Sequence, residues 1–391
     1  MSCYISSNAN RLYTAVESAY GNVPAITASH RFPAVKLTTR QQNLLGERRD
    51  KTGSRTFAGV PVGTRRQTTF ELRTYMTGWN SLLAAEPGYG PLFRAALGDA
   101  PLAFTGGTVA AGSTASQLVF AATHGLAPGQ AVVHGSEVRF VNAVVNATTV
   151  QLNAPLSVTP ATGAPIKATV TYVPRTDLAS ASIYDYWNPA TAVQRILNGS
   201  AIDQLQLTVN GDFHEFVFSG AAQDIIDSVS FASGQGGLTS YPGEPAAGVF
   251  DYSIIPGHLG QVWLGTTPDR FYTVTSATFL LDNDIDLRAR EFGSSVAKCI
   301  APGRRSMQVS VDLFEQDDGM TKALYQAARQ QSPIPMMFQL GQQAGQLAGI
   351  HMPSVVPEVP DFDDGDRRLQ WRFRDSRAQG TIDDEVAIAF G

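Results

Sequence analysis

The residue types that usually carry chemistry are present in this sequence, but not at the spacings chemistry needs. The six histidines, His30, His124, His134, His214, His258 and His351, include no HxH or HExxH arrangement for zinc. His124 and His134 share one Ala/Val/Thr-rich stretch and could meet in space; otherwise each histidine reads as a polar residue of a turn or strand. Cys3 and Cys299 form no CxxC or Cys/His pattern and are expected as reduced thiols made in a cytoplasm. The run DFDDGD (361–366) offers the carboxylate oxygens calcium takes. It lacks the DxDxDG order and the later glutamate of an EF-hand, so it reads as a solvated loop between strands. The run DNDID places Asp282, Asp284 and Asp286 together, with Glu291 beyond. It reads as a surface facing another subunit or as a solvated turn, with metal a distant third. There is no GxSxG elbow, phosphate-binding glycine loop or GxGxxG. No two strand carboxylates stand out as a glycosidase pair. Catalytic residues and cofactors are therefore not expected.

Cations gather in two places. Arg48, Arg49, Lys51 and Arg55 precede Arg65 and Arg66 in the first half, and Arg304 and Arg305 stand in the second. The Arg-Arg pairs open strands at matching positions and read as inter-subunit salt bridges. Charged residues make up 16% of the chain, against about 25% in ordinary soluble domains, which suits a surface covered by copies of itself. A net charge of −5 argues against a general nucleic-acid binder, which carries a basic face. The N-terminus lacks a basic start followed by an apolar run, so no signal peptide is expected. Nor is a membrane helix, which needs about 20 apolar residues in a row.

The elements that would position these residues are mostly strands. Period-two alternation is clearest at 307–314, where Met307, Val309, Val311 and Leu313 point one way. Strands are also expected at 68–75, 205–209, 213–218, 274–281, 369–373 and 385–390. Helical spacing occurs at 90–97 and at 319–331, the latter stopped by Pro333 and Pro335. The order strand, long polar loop, strand, helix, strand, hairpin occurs twice, which marks a duplication. The long loops are 41–62 and 285–302. The closing hairpins are 201–218, turning at Asn210-Gly211, and 369–390, turning near 378–380.

Composition shifts to Ala, Val, Thr and Gly between 105 and 174. This reads as a small β-domain inserted into the first repeat, where close chain ends would let it project outward. The expected organisation is therefore a first module (1–104 and 175–230), the insert (105–174), a Gly/Ser/Pro-rich linker (231–268) and a second module (269–391). Aromatics in the linker, Phe231, Tyr241, Phe250, Tyr252 and Trp263, suggest that it packs against something. Trp187 reads as a core anchor.

Several phrases together resemble a family. They are RLYTAVESAYGNVPAI, GTRRQTTFELRTYM followed by GPLFRAALG, SIYDYW followed by RILNGSAIDQLQLTVNGDFHEFVFSG, and the ending IDDEVAIAFG. In pattern and order they resemble the two-repeat tail tube proteins of long-tailed bacteriophages, over most of the chain outside 105–174 and most specifically over 195–218. The resemblance implies two tandem β-sandwich or barrel modules, each with a short helix. It implies a virion protein, assembled in the host cytoplasm, that self-assembles into rings stacked head-to-tail as a hollow tube. Phage DNA would pass through without specific binding, and no membrane is involved. A duplicated subunit implies a trimeric ring with pseudo-sixfold symmetry, a hexamer being the alternative. Partners would be tape-measure, distal tail and terminator proteins. The candidate inter-subunit or bore-facing residues are then Arg48, Arg49, Arg65, Arg66, Asp282, Asp284, Asp286, Glu291, Arg304 and Arg305. Two other readings are a distal or terminator ring, and a carbohydrate-binding β-protein with the insert as its lectin. The insert lacks a tryptophan or tyrosine cluster for sugar stacking, with only Tyr172 at its end.

Overall fold

The computed structural model of the chain describes residues 6–46, 49–56, 59, 64–98, 100–188, 193–227, 235–246, 253–287, 291–365 and 367–391. The first repeat comprises β1 (Arg11–Val16), β2 (Ala34–Leu44), β3 (Arg65–Tyr75), α1 (Gly90–Leu97), β4 (Leu102–Phe104), β5 (Thr169–Tyr172), β6 (Ala181–Asn188), β7 (Val193–Val209) and β8 (Glu215–Ala222). The second comprises β9 (Gly260–Leu264), β10 (Val274–Asp282), β11 (Ser306–Phe314), α2 (Gly319–Gln330), β12 (Ile334–Leu340), β13 (Ala348–Val356), β14 (Asp361–Asp363), β15 (Gln370–Ala378) and β16 (Ala387–Phe390). The protein is mainly β, with two α-helices among the described residues.

Two antiparallel layers enclose the core. One, the belt, runs β2-β3-β8-β7-β10-β11-β15-β14. The other runs β4-β5-β16-β13-β12-β9. Alternation sets the belt's faces: Phe70 and Leu72 of β3, and Val309, Val311 and Leu313 of β11, are buried while their neighbours face out. Phe93 of α1 joins the layers. Its ring lies 5.2 and 5.3 Å from Phe216 and Phe218 of the belt and 5.1 Å from Phe390 of the other layer. Apart from Arg94, every residue of α1 is buried. In the second repeat Phe279 and Phe338 meet across the layers at 4.7 Å.

The duplication is visible in strand register. Leu72 stands between Leu37 and Phe218, and Val311 between Ala277 and Phe373. β2 and β10 even share a register shift, between Ala34 and Lys36 and between Val274 and Ser276. Such a bulge bends the strand locally. Each helix is followed by a pair of strands in the second layer, β4–β5 or β12–β13.

Some expectations need correction. The 201–218 hairpin exists as β7–β8, with Asn210 in the left-handed region at φ 67°. The 369–390 hairpin does not. β15 stays in the belt, while β16 crosses to lie between β5 and β13. All four residues of β16 are buried, so this apolar run needs cover on both faces, which a belt position cannot provide. Within the segment read as a linker, residues 260–264 form β9, with Trp263 buried, and Tyr241 packs edge-on against Tyr186 at 6.1 Å. Phe231, Phe250 and Tyr252 lie outside the described residues.

The insert folds as its own six-stranded sheet over residues 107–167, around Leu118, Phe120, Val141, Val150 and Ile166. Residues 169–172, read as its far end, are instead β5 of the host. Phe104 of β4 faces Thr169 of β5, so the chain leaves and returns at adjacent rungs. A second attachment holds the insert down. Val133, Val138 and Phe140 pack on Trp263, Met337 and Leu347 of the second repeat. The fully buried Arg139 bonds Glu137 (2.5 Å), the Pro155 carbonyl (3.0 Å), Gln261 (3.2 Å) and Gln339 (3.3 Å), and lies 4.9 Å from the Trp263 ring centre. His351 of β13 stacks on Phe140 at 5.1 Å.

Arg139→Ala leaves Glu137 buried without its cation, and should cost about 3–5 kcal/mol in denaturant titrations. Limited proteolysis should then cut the insert before the host. Burial pushes His351 down to about 4. The unfolded chain therefore takes up this proton below its ordinary value while the folded chain does not, so stability is lost as pH falls from about 6.5 to 4. The linkage is on the order of 3 kcal/mol. His351→Gln should flatten that part of the pH–stability curve.

Candidate assembly surface

The two arginine pairs divide alike. Arg66, the second residue of β3, reaches the buried Asp224 carboxylate at 2.8 Å, which also accepts from Gln41 (2.8 Å) and Gln235 (2.6 Å). Arg305, just before β11, bridges Glu385 and, at 2.7 Å, Asp383, and donates to the Arg175 carbonyl at 2.8 Å. Both arginines thus make bridges within the chain. Arg304 is exposed, Arg65 is half-buried, and Arg49 is exposed in the first-repeat loop. Arg48 lies outside the described residues.

The acidic run closes β10. Asp282 accepts from Gln204 (3.2 Å) and from the Asp284 N–H (2.9 Å), and Asp284 is left-handed at φ 48°. A Cβ on Gly303 would sit 2.4 Å from the Asp284 carbonyl, which explains the glycine before the arginine pair. Asp286 is exposed and pairs with Ala301, so the 285–302 loop carries a small ladder and is not wholly irregular. Glu291 is half-buried. Burial pushes the nearby Asp203 carboxyl up; the Ile285 N–H opposes this, and the charges of Asp282 and Asp284 reinforce it. Among the described residues no group of three or more His, Cys, Asp or Glu is placed to hold a metal. Of DFDDGD, residues 361–363 form β14, Asp363 pairs with Arg372, and Asp366 lies outside the described residues. His124 and His134 each meet a backbone carbonyl, of Asn146 (3.0 Å) and Pro165 (3.2 Å). Cys299 is an exposed thiol, and Cys3 lies outside the described residues. Trp187 is half-buried beneath Arg195, 5.8 Å away, and is not a core anchor.

The seam between the repeats is a continuous ladder. β7 and β10 pair from Gln204↔Asp282 to Val209↔Ala277. Asn283, buried one residue beyond, donates to the carbonyls of Ala96 and Ile202, both at 2.9 Å. It thereby satisfies a carbonyl in the last turn of the other repeat's helix, where no helical donor is available. The 285–302 loop then lies on the first repeat: the Arg66 N–H donates to Ser295 O (2.8 Å) and the Gln223 amide to Ala297 O (2.9 Å). Sequence reasoning picked out the aspartates here and missed Asn283, whose sole signal is an amide among carboxylates at a strand end.

The belt ends at β2 on one side; on the other, the flank of β15 is shared by β14 and by β13 of the second layer, Val355 and Val356 facing Ala378 and Arg377. Among the described residues, β2 pairs only with β3 and β14 only with β15. Residues 40–44 of β2 are exposed, and Phe362 of β14 is 55% exposed. The belt's outer face is polar, with Glu71, Gln206, Thr208, Thr278, Gln308 and Ser310, and carries the ion pairs Arg73–Glu215 (2.5 Å) and Arg374–Asp312 (3.3 Å). No family model matches the chain, and no curated protein matches it.

Removing Arg305 strands two partly buried carboxylates. Arg305→Ala should cost about 1–3 kcal/mol in thermal or chemical unfolding. Arg304→Ala, at an exposed site, should stay within about 0.5 kcal/mol of the parent.

Proposed function

We propose that this chain is a structural subunit of a phage tail tube, closing with copies of itself into rings that stack around a path for DNA. The observation that carries the reading is the eight-strand belt, built from two like repeats and ending in two different open edges. An open edge is a row of unpaired N–H and C=O groups that templates another strand. Because the edges differ, the contact joining them is head-to-tail, and such contacts close into a ring when the rotation permits. Duplication gives a trimer six near-equivalent modules; a hexameric ring is the alternative.

In this reading the polar outer face of the belt lines the bore. Two of its arginines, Arg73 and Arg374, are paired with Glu215 and Asp312, which lowers its attraction for phosphate, and DNA moves past without being held. In this reading the exposed residues 49–56 of the first-repeat loop touch a neighbour, as loop 285–302 touches the first repeat within the chain. Tape-measure, distal tail and terminator proteins would meet the ends of such a tube. The role is assembly, with no reaction catalysed.

Electron microscopy of the purified full chain at high concentration, alone and with the phage's other tail proteins, tests this. Discs or tubes with a central hole are expected. A monodisperse monomer under both conditions overturns the proposal.

A further inference from the structure

We infer that the internal seam is the template for the joint between copies, with β14 of one copy pairing antiparallel to β2 of the next, Asp361 opposite Arg40. This rests on the ring reading above and names its contact.

The register supplies the argument. In the first repeat β8 carries β7, with Gln206, Leu207 and Thr208 opposite Val217, Phe216 and Glu215. In the second repeat the strand equivalent to β8 is β15, and it carries β14, with Asp361, Phe362 and Asp363 opposite Arg372, Trp371 and Gln370. Anchoring the repeats on Leu72 and Val311 brings Phe216 onto Trp371. β14 therefore occupies the place of β7, Phe362 standing where Leu207 stands. The free flank of β7 is taken by β10, with Gln206↔Leu280, Leu207↔Phe279 and Thr208↔Thr278. The strand equivalent to β10 is β2, its shared bulge fixing the alignment, so Leu280, Phe279 and Thr278 correspond to Arg40, Thr39 and Thr38. Carrying the seam over to the open edges gives Asp361↔Arg40, Phe362↔Thr39 and Asp363↔Thr38.

Burial and charge agree with this register. Leu207 and Phe279, inside the seam, are 2% and 0% exposed, whereas their counterpart Phe362 is 55% exposed, packed on Trp371 and Tyr325 by one side only. The β14 edge presents Asp361 and, beyond it, Asp364, while Asp363 is paired with Arg372 of its own chain. The exposed side chains of β2 include Lys36 and Arg40. Opposite charges directly across an antiparallel pair stabilise it, and like charges destabilise it. Within one copy β2 pairs only with β3 and β14 only with β15 among the described residues, so both flanks are left open, and in the ring reading the occupant is a second copy.

The test is self-association of the full chain, followed by light scattering and electron microscopy. Arg40→Asp should weaken association by about tenfold or more through like-charge opposition to Asp361. Asp361→Asn, which sets no cation against Arg372 of its own strand pair, should restore much of it in the Arg40→Asp background. Both sites are exposed, so circular dichroism of each variant should match the parent. In a Cys3→Ser, Cys299→Ser background, Thr39→Cys with Phe362→Cys should form a disulfide between copies on oxidation. If the parent forms rings while the charge variants assemble equally well and no cross-link forms, this joint is overturned and the tube reading stands. If the parent forms no rings even with the other tail proteins, the tube reading falls and the joint with it.

Discussion

The hydrogen-bonded seam between β7 and β10 is the constraint on which the remaining architecture depends. It turns two four-strand sheets into one belt and lets a single core run beneath both. Leu205 and Leu207 from one side and Phe279 and Leu281 from the other are buried together there, so neither repeat completes its core alone. Asn283 and the 285–302 loop then seal the seam from its end. Both of the Asn283 amide's bonds go to backbone carbonyls, of Ala96 in the first repeat's helix and of Ile202 in β7.

Much of the local structure was legible because it is encoded locally. Alternation from Met307 to Leu313 gave β11 its buried face, and helical spacing located both helices to within a residue. What was not legible was set by partners distant in the chain. β16 reads as one half of a hairpin, yet its unbroken apolar run needs cover on both faces and finds it between β5 and β13. β9 was hidden in a Gly- and Pro-rich stretch because a strand of only five residues leaves little periodic signal. No spacing in the sequence marks Arg139; its burial follows from Glu137, two positions away, and from Gln261 and Gln339, far off in sequence.

The candidate site was legible in part, for a related reason. Arg66 and Arg305 were picked out by their matching positions, and matching positions did bring matching work: each ties a strand end to a carboxylate of its own chain. Their partners, Asp224 in one case and Asp383 with Glu385 in the other, are not themselves in equivalent positions, so the pairing was beyond any reading of spacing. The open strands β2 and β14 carry no motif. They become visible only when the order of the belt is known, because an edge is defined by the absence of a neighbour among the described strands and by nothing in its own residues.

The insert shows how connectivity and energetics can disagree. Its two ends leave the host on facing rungs at Phe104 and Thr169, so by chain path alone a short turn could stand in its place. Yet excision would uncover Trp263, Met337 and Leu347 and leave Gln339 without the backbone and guanidinium donors it now serves. The added domain has thus become a lid that the second repeat cannot shed, and any lineage that gained it would find the way back uphill.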